Sequence, residues 1–305
     1  HALMKRLAFA LGLLVLAAGS VLFVTRPLGL PEDSSPAHAV DLANGERIFY
    51  AGGCTSCHAS VDSEPGSLEL GGGLEMETPF GVFRVPNISP HTEAGIGQWT
   101  MLDFVNAMLL GTSPDRRHYY PAFPYASYAR MHVQDVVDLK AWLDGYEAVA
   151  TVAPDHELGF PWNIRRGLGL WKRRYLDMAP VVPAGPEDSV IERGRYLVEG
   201  PGHCGECHTP RDSLGGPELS QWLAGAPNPD GEGRVPNITA HEDGLGGWSL
   251  NDIAYYLESG FTPEFDTVGG SMVKVQENMA RLPASDREAI AAYLLAVPPR
   301  PDAAR

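Results

Sequence analysis

From Leu7 to Val24 the chain holds no charge and is almost wholly apolar. A run of that length is just enough to cross a bilayer as a helix. Lys5 and Arg6 stand before it and Thr25-Arg26-Pro27 close it, which predicts one spanning helix that starts in the cytoplasm and delivers everything after it across the membrane. A cleaved signal peptide is the rival reading, since Ala37-His38-Ala39 fits a small-x-small cleavage pattern. That site lies well beyond the apolar run, farther than the short polar tail of a signal peptide places it. The expectation is a retained anchor over residues 1–29 and a linker over 30–40.

Beyond the linker, apolar residues recur every three or four positions, the period of a half-buried helix. They predict a first helix through Asn44–Tyr50, a middle helix starting near Trp99 and running through Met101–Val105, and a last helix through Asp135–Leu143. The same three recur at Glu192–Val198, from Trp248 through Leu250–Tyr255, and at Asp286–Leu294. Gly45 and Gly194 would let the terminal helices of each set cross closely beneath Trp142 and Tyr293, because glycine lacks the side chain that would hold them apart. Arg84-Val85-Pro86-Asn87-Ile88-Ser89 returns as Arg234-Val235-Pro236-Asn237-Ile238-Thr239, and His91 as His241, both at an offset of 150. Shared spacing across separate landmarks reads as duplication of a whole domain. The predicted domains are 41–150 and 189–298, with a connector over 151–188 and a tail over 299–305.

The same offset separates Cys54-Thr55-Ser56-Cys57-His58 from Cys204-Gly205-Glu206-Cys207-His208, and these two stretches contain all four cysteines of the chain. Each is the Cys-x-x-Cys-His signature of covalent c-type haem attachment. Two cysteines one helical turn apart can form thioethers to the vinyl groups of one haem, and the histidine that follows becomes the proximal iron ligand. The expected covalent haem sites are therefore Cys54, Cys57, Cys204 and Cys207, with His58 and His208 on iron. A structural zinc site or a pair of redox dithiols is the alternative, but zinc pairs usually lie closer in sequence and ask for no histidine after each second cysteine. Attachment of c-type haem takes place on the far side of the membrane, where the anchor would deliver both motifs.

The formal charge of −15 argues against nucleic acid as a partner. It suits docking to a basic redox protein, although many soluble surfaces are acidic. Against that background Arg165, Arg166, Lys172, Arg173 and Arg174 cluster in the connector among prolines and aromatics. They read first as a connector packing its tryptophans while solvated arginines face water, and second as a contact with lipid phosphates or an acidic partner. No Ser/His/Asp triad, phosphate-binding glycine loop or carboxylate pair stands out.

With both haem motifs, the Arg-Val-Pro-Asn-Ile loops, Tyr119-Tyr120-Pro121-Ala122-Phe123-Pro124-Tyr125 and Phe160-Pro161-Trp162-Asn163-Ile164-Arg165 in place, the chain resembles dihaem c-type cytochromes and the cytochrome c subunits of bacterial membrane-bound dehydrogenases of the alcohol and gluconate type. The resemblance covers roughly residues 41–298. It implies an all-α protein, with two tandem class I cytochrome c-like domains after an N-terminal transmembrane helix. It also implies two covalent c-type haems, attachment to the bacterial inner membrane with the haem domains in the periplasm, and a non-catalytic relay of single electrons. The donor would be a membrane-bound dehydrogenase or a respiratory complex. Those dehydrogenase subunits commonly carry three haem motifs, whereas this chain has two.

A second departure concerns the distal ligand of the first haem. Many relatives carry methionine where this chain has Phe123, and phenylalanine cannot bind iron. Met131, just before the last helix, is the best-placed thioether, with His118 and His132 as alternatives; Met101 and Met108 read as core packing. For the second haem Gly269-Gly270-Ser271-Met272 resembles the family's methionine-bearing loop, and Met279 competes. Methionine opposite histidine raises the reduction potential and closes the iron to outside ligands. The rival function is a peroxidase-like dihaem enzyme with a displaceable distal ligand at the first haem. The Pro86-Asn87 and Pro236-Asn237 loops are expected to line the haem edges, with backbone groups or Arg84 and Arg234 near the propionates, unless Pro-Asn merely makes a tight turn.

Overall fold

The structure is a computed structural model that describes residues 2–32, 38–64, 67–183, 185–186, 189–229, 231 and 233–303. Ala37 of the candidate cleavage pattern, with residues 33–36 of the linker, lies outside the described residues. Helix α1 spans Ala2–Val24 and is exposed along nearly its whole length. Its residues Leu3–Val24 form the one described helix long and apolar enough to cross a membrane.

The first helical group opens with α2 (Leu42–Ala51), capped by the Asp41 carboxylate, which accepts from the Ala43 and Asn44 amides. It continues through α3 (Cys54–His58), α4 (Met101–Leu110), α5 (Tyr125–Tyr128) and α6 (Val133–Leu143). Thr100 and Asp103 close a capping box on α4, and Gly111 ends that helix in the left-handed region at φ 58°. A connector helix, α7 (Leu168–Tyr175), follows. The second group repeats the plan with α8 (Val190–Glu199), α9 (Gly205–His208), α10 (Leu250–Ser259), α11 (Met272–Met279) and α12 (Ala284–Ala296). Ser249 and Asp252 box α10 as Thr100 and Asp103 box α4.

The chain is mostly helical but not all-α. Strands β1 (Glu75–Thr78), β2 (Gly81–Arg84) and β3 (Glu157–Leu158) form an antiparallel sheet with Glu75 opposite Arg84 and Gly81 opposite Leu158. A second pair joins β4 (Ala226–Pro227) to β5 (Arg234–Val235). The segments after the two cysteine motifs are too rich in turn residues for helix, and Val82-Phe83 supplies the β-forming positions that pair instead.

In each group the first and last helices make the dominant contact, α2 on α6 and α8 on α12. The glycine crossings are as expected. A Cβ at Gly45 would overlap the Asp138 carbonyl oxygen and sit 2.9 Å from the Trp142 Cβ; one at Gly194 would overlap the Ala289 carbonyl oxygen and sit 2.8 Å from the Tyr293 Cβ. Gly194→Ala should therefore force α8 and α12 apart and cost about 1–3 kcal/mol. A thermal or denaturant melt of the variant reads that loss directly; an unchanged midpoint would contradict the close crossing.

The two groups pack on each other through contacts that occur in equivalent pairs. Ser127 Oγ donates to Glu206 at 2.5 Å, and its counterpart Asn278 donates through Nδ2 to Ser56 Oγ at 3.2 Å. Arg130 lies 4.0 Å from Glu199 as Arg281 lies 3.3 Å from the Tyr50 hydroxyl. Tyr196 donates to Asp135, and Arg47 faces Asp286 at 3.9 Å. Exchanging the groups maps each contact onto its partner, the signature of a two-fold relation. Residues of both groups, from Phe49 and Leu139 to Leu197 and Tyr293, share one buried core.

Candidate haem-binding sites

Both cysteine motifs begin at a left-handed residue, Gly53 at φ 54° before α3 and His203 at φ 39° before α9. The turn that follows is helical, so Cys54 and Cys57, and likewise Cys204 and Cys207, stand one turn apart. Desolvation, reinforced by the second cysteine of each motif, pushes the Cys54 and Cys204 thiols up to about 12. Among the described residues no three His, Cys, Asp or Glu side chains converge as a metal site. The zinc alternative therefore has no geometric support.

The proximal histidines are oriented by backbone. His58 Nδ1 lies 2.8 Å from the Pro86 carbonyl and His208 Nδ1 lies 2.7 Å from the Pro236 carbonyl. A carbonyl only accepts, so Nδ1 carries the hydrogen in both rings; burial lowers both pKa values and keeps the rings neutral. Nε2 is then a lone pair, the form an iron ligand requires. The carbonyl side of each histidine is also held, by the Gly72 amide at 2.9 Å and the Gly225 amide at 2.8 Å.

This arrangement gives the repeated Arg-Val-Pro-Asn-Ile loop its role. Asn87 Nδ2 donates to Val149 and Thr151 carbonyls at 2.6 and 2.9 Å while its Oδ1 accepts from the Ser89 amide at 2.8 Å. Asn237 donates to the Arg300 carbonyl at 2.8 Å and accepts from the Thr239 amide at 2.9 Å. Each asparagine pins the proline whose carbonyl holds the histidine. Of the two arginines of the loop, Arg84 donates to Glu75 at 2.7 Å, Glu157 at 2.8 Å and the Asp155 carbonyl at 2.7 Å, and Arg234 donates to the Ala303 carbonyl at 2.9 Å. Sequence spacing showed the repeat of Pro-Asn but not which atom faced the imidazole.

On the distal side of the first motif, Met131 is 5% exposed and lines a small cavity together with Cys54, Ile48, Met108 and Tyr128. The two histidine alternatives are occupied elsewhere. His118 Nε2 lies 2.8 Å from the Thr25 carbonyl at the end of α1, and the largely exposed His132 ring stacks on Tyr196 at 4.4 Å. Phe123 sits among Tyr119, Tyr125 and Tyr128 with ring centroids 5.7 to 6.3 Å apart. In the second group Met272 is the half-buried first residue of α11 and Met279 its buried last. Leu282 occupies the turn equivalent to Met131, its amide bonded to the Met279 carbonyl as that of Met131 is bonded to Tyr128. The two groups thus cannot supply a thioether from the same position.

A cytochrome c family model matches residues 42–146. Over 298 residues the chain is 50% identical to a diheme cytochrome c-type protein of Cereibacter sphaeroides, covering 96% of this chain and 98% of that one. It belongs to the dihaem c-type cytochromes. The cytochrome carries covalently bound c-type haems, and the motifs and histidine geometry fit them. It is also 36% identical to the fructose dehydrogenase cytochrome subunit of Gluconobacter japonicus, over 88% of this chain and 55% of that one. The cytochrome c subunit of the quinone alcohol dehydrogenase of Gluconobacter oxydans is 32% identical over 97% of this chain and 61% of its own length. The cytochrome therefore spans a little over half the length of those two dehydrogenase subunits.

Proposed function

We propose that this cytochrome is a membrane-anchored periplasmic relay that takes single electrons from a membrane-bound dehydrogenase or respiratory complex and hands them to a downstream acceptor. It would do so from two tandem class I cytochrome c-like domains, residues 41–150 and 189–298. Cys54, Cys57, Cys204 and Cys207 hold the haems; His58 and Met131, and His208 and Met272, are the iron ligands. When bound, the haem irons take up and release one electron at a time.

The observation that carries this reading is the pair of neutral imidazoles held Nδ1-to-carbonyl above two attachment turns that meet at one interface. Asn278 contacts Thr55 at 3.3 Å and Ser56 at 3.2 Å, within the first motif, while Ser127 contacts Glu206, within the second. The chain itself therefore holds the two attachment turns in fixed register. Relatives that are cytochrome subunits of dehydrogenases support a redox protein as donor. The peroxidase-like alternative gains no support from them, and the buried Met131 in the cavity beside Cys54 supports it as the thioether in place of a methionine at position 123.

Spectroscopy of the holoprotein tests the proposal. Both irons are expected to be low-spin with a sulfur-to-iron charge-transfer band in the oxidised state, and a dehydrogenase is expected to copurify from membranes. A high-spin iron that turns over peroxide would replace the relay with an enzyme.

A further inference from the structure

The C-terminal end of α1 is clamped rather than tethered. Arg166 donates through Nη2 to the Leu22 carbonyl and through Nε to Thr25 Oγ1 at 3.0 Å, and Arg173 donates to the Val24 carbonyl at 2.9 Å. These guanidinium groups meet the carbonyls that a helix leaves unpaired in its last turn. Gly169 lies so close to Thr25 that a Cβ there would come within 2.6 Å of the Thr25 Cα and carbonyl oxygen. His118 closes the far side on the Thr25 carbonyl. If α1 crosses the bilayer, the residues that grip its last turn stand at the lipid–water boundary.

That position gives meaning to the surface the connector exposes. Between Leu158 and Leu176 there is no acidic residue and there are five basic ones, in a chain whose overall count is 38 acidic to 23 basic. Phe160 is 81% exposed, and Ile164, Leu170 and Leu28 are more than half exposed beside it in sequence or across the clamp. Arg166, Arg173 and Arg174 are exposed as well. Exposed aromatic and aliphatic side chains interleaved with arginines form the composition that settles in the headgroup layer.

The loop that contacts the end of α1 is basic in the first helical group alone. The loop that carries His118, bridged Thr112 to His118, has as its counterpart a loop bridged Phe261 to Thr267, with Arg116 and Phe265 both at positive φ. Where the first loop reads Arg116-Arg117-His118, the second reads Phe265-Asp266-Thr267. Arg117 is answered by Asp115 at 2.5 Å. The cations gather on the side where α1 leaves the helical groups.

We infer that residues 159–174 lie in the lipid headgroup layer as a second membrane contact, with Phe160, Ile164 and Leu170 inserted and Arg166, Arg173 and Arg174 facing anionic phosphates. The inference rests on the anchor reading of α1. Two contacts, one spanning and one interfacial, would fix the height and tilt of the haem-bearing groups above the membrane.

The full-length holoprotein in phosphatidylcholine vesicles, with and without phosphatidylglycerol, tests it with two photoactivatable lipids, one reactive in the acyl chain and one in the headgroup. The acyl probe should label peptides of residues 3–24 and the headgroup probe peptides of residues 159–174, more strongly when phosphatidylglycerol is present. The double variant Phe160→Ser, Ile164→Ser should reduce headgroup labelling of that segment on the order of tenfold while leaving acyl labelling of α1 unchanged. Labelling of α1 without labelling of 159–174 overturns the inference and leaves the anchor standing. Failure to label α1 overturns the anchor and the inference with it. Protection of the segment only in native membranes, by cross-links to another polypeptide, overturns the inference in favour of a protein partner.

Discussion

Replacing Cys204 and Cys207 together by alanine is expected to leave a cytochrome with half the haem per polypeptide, read by the pyridine haemochromogen spectrum and by a mass lower by one covalently attached haem. The effect is large because attachment is all-or-none at this motif: without both sulfurs no thioether forms, and the His208–Pro236 arrangement alone does not retain a haem. The second motif is the informative one, since the family model matches only residues 42–146. The first motif should keep its haem, because Cys54, Cys57 and His58 are set by α3, Gly53 and the Pro86 carbonyl within the first group. Unchanged haem content would refute attachment at Cys204 and Cys207. A parallel His208→Ala variant should keep the covalent mass but lose the low-spin spectrum of that haem, which separates attachment from ligation.

Attachment was legible in the sequence because it depends on residues three or four positions apart. The terminal helices were legible for the same reason, and Gly45 and Gly194 announced the crossing because nothing but glycine fits between two backbones at that distance. What sequence spacing could not show were relations set by tertiary contact. The pairing of Ser127 with Glu206 and of Asn278 with Ser56 joins residues 79 and 222 positions apart. The ion pairs of Arg84 with Glu75 and Glu157 likewise join residues that only the sheet and the connector bring together. His118 read as a loop histidine and proved to hold the end of α1. The short strands escaped because two to four residues carry too little periodicity to register.

The basic connector illustrates the same limit from another side. Its five cations were visible as composition, and the preferred reading of packed tryptophans is partly right, since Trp171 donates to the Leu214 carbonyl at 3.1 Å and Trp162 meets Phe80 edge-on at 4.9 Å. Arg166, Arg173 and Arg174 stay exposed, but some of their donors, and Lys172, turn to the protein. Arg166 and Arg173 spend donors on the last turn of α1, and Lys172 reaches inward to the Leu110 and Gly111 carbonyls at 2.6 and 2.7 Å. An α1 gripped at Thr25 leaves little of the swing that a long flexible tether would allow.

Removing a distal thioether should have the second-largest effect. Met272→Ala is expected to abolish about half of the sulfur-to-iron charge-transfer intensity, convert one iron to a high-spin form that binds cyanide quickly, and lower its potential on the order of 0.1 V, within the roughly 0.8 V range that axial ligands command. Met131→Ala should do the same to the other iron, so that the double variant loses the band altogether. Met108→Leu supplies the control, because Met108 lines the same cavity beside Cys54 yet sits inside α4 at a position suited to packing. Loss of the band in Met108→Leu with retention in Met131→Ala would move the ligand to α4, and retention in Met272→Ala with loss in Met279→Ala would move the second to the other end of α11. The asymmetry has a physical origin. Leu282 fills the turn that Met131 occupies in the first group, so the second group can present a thioether only from another turn, and α11 begins with one.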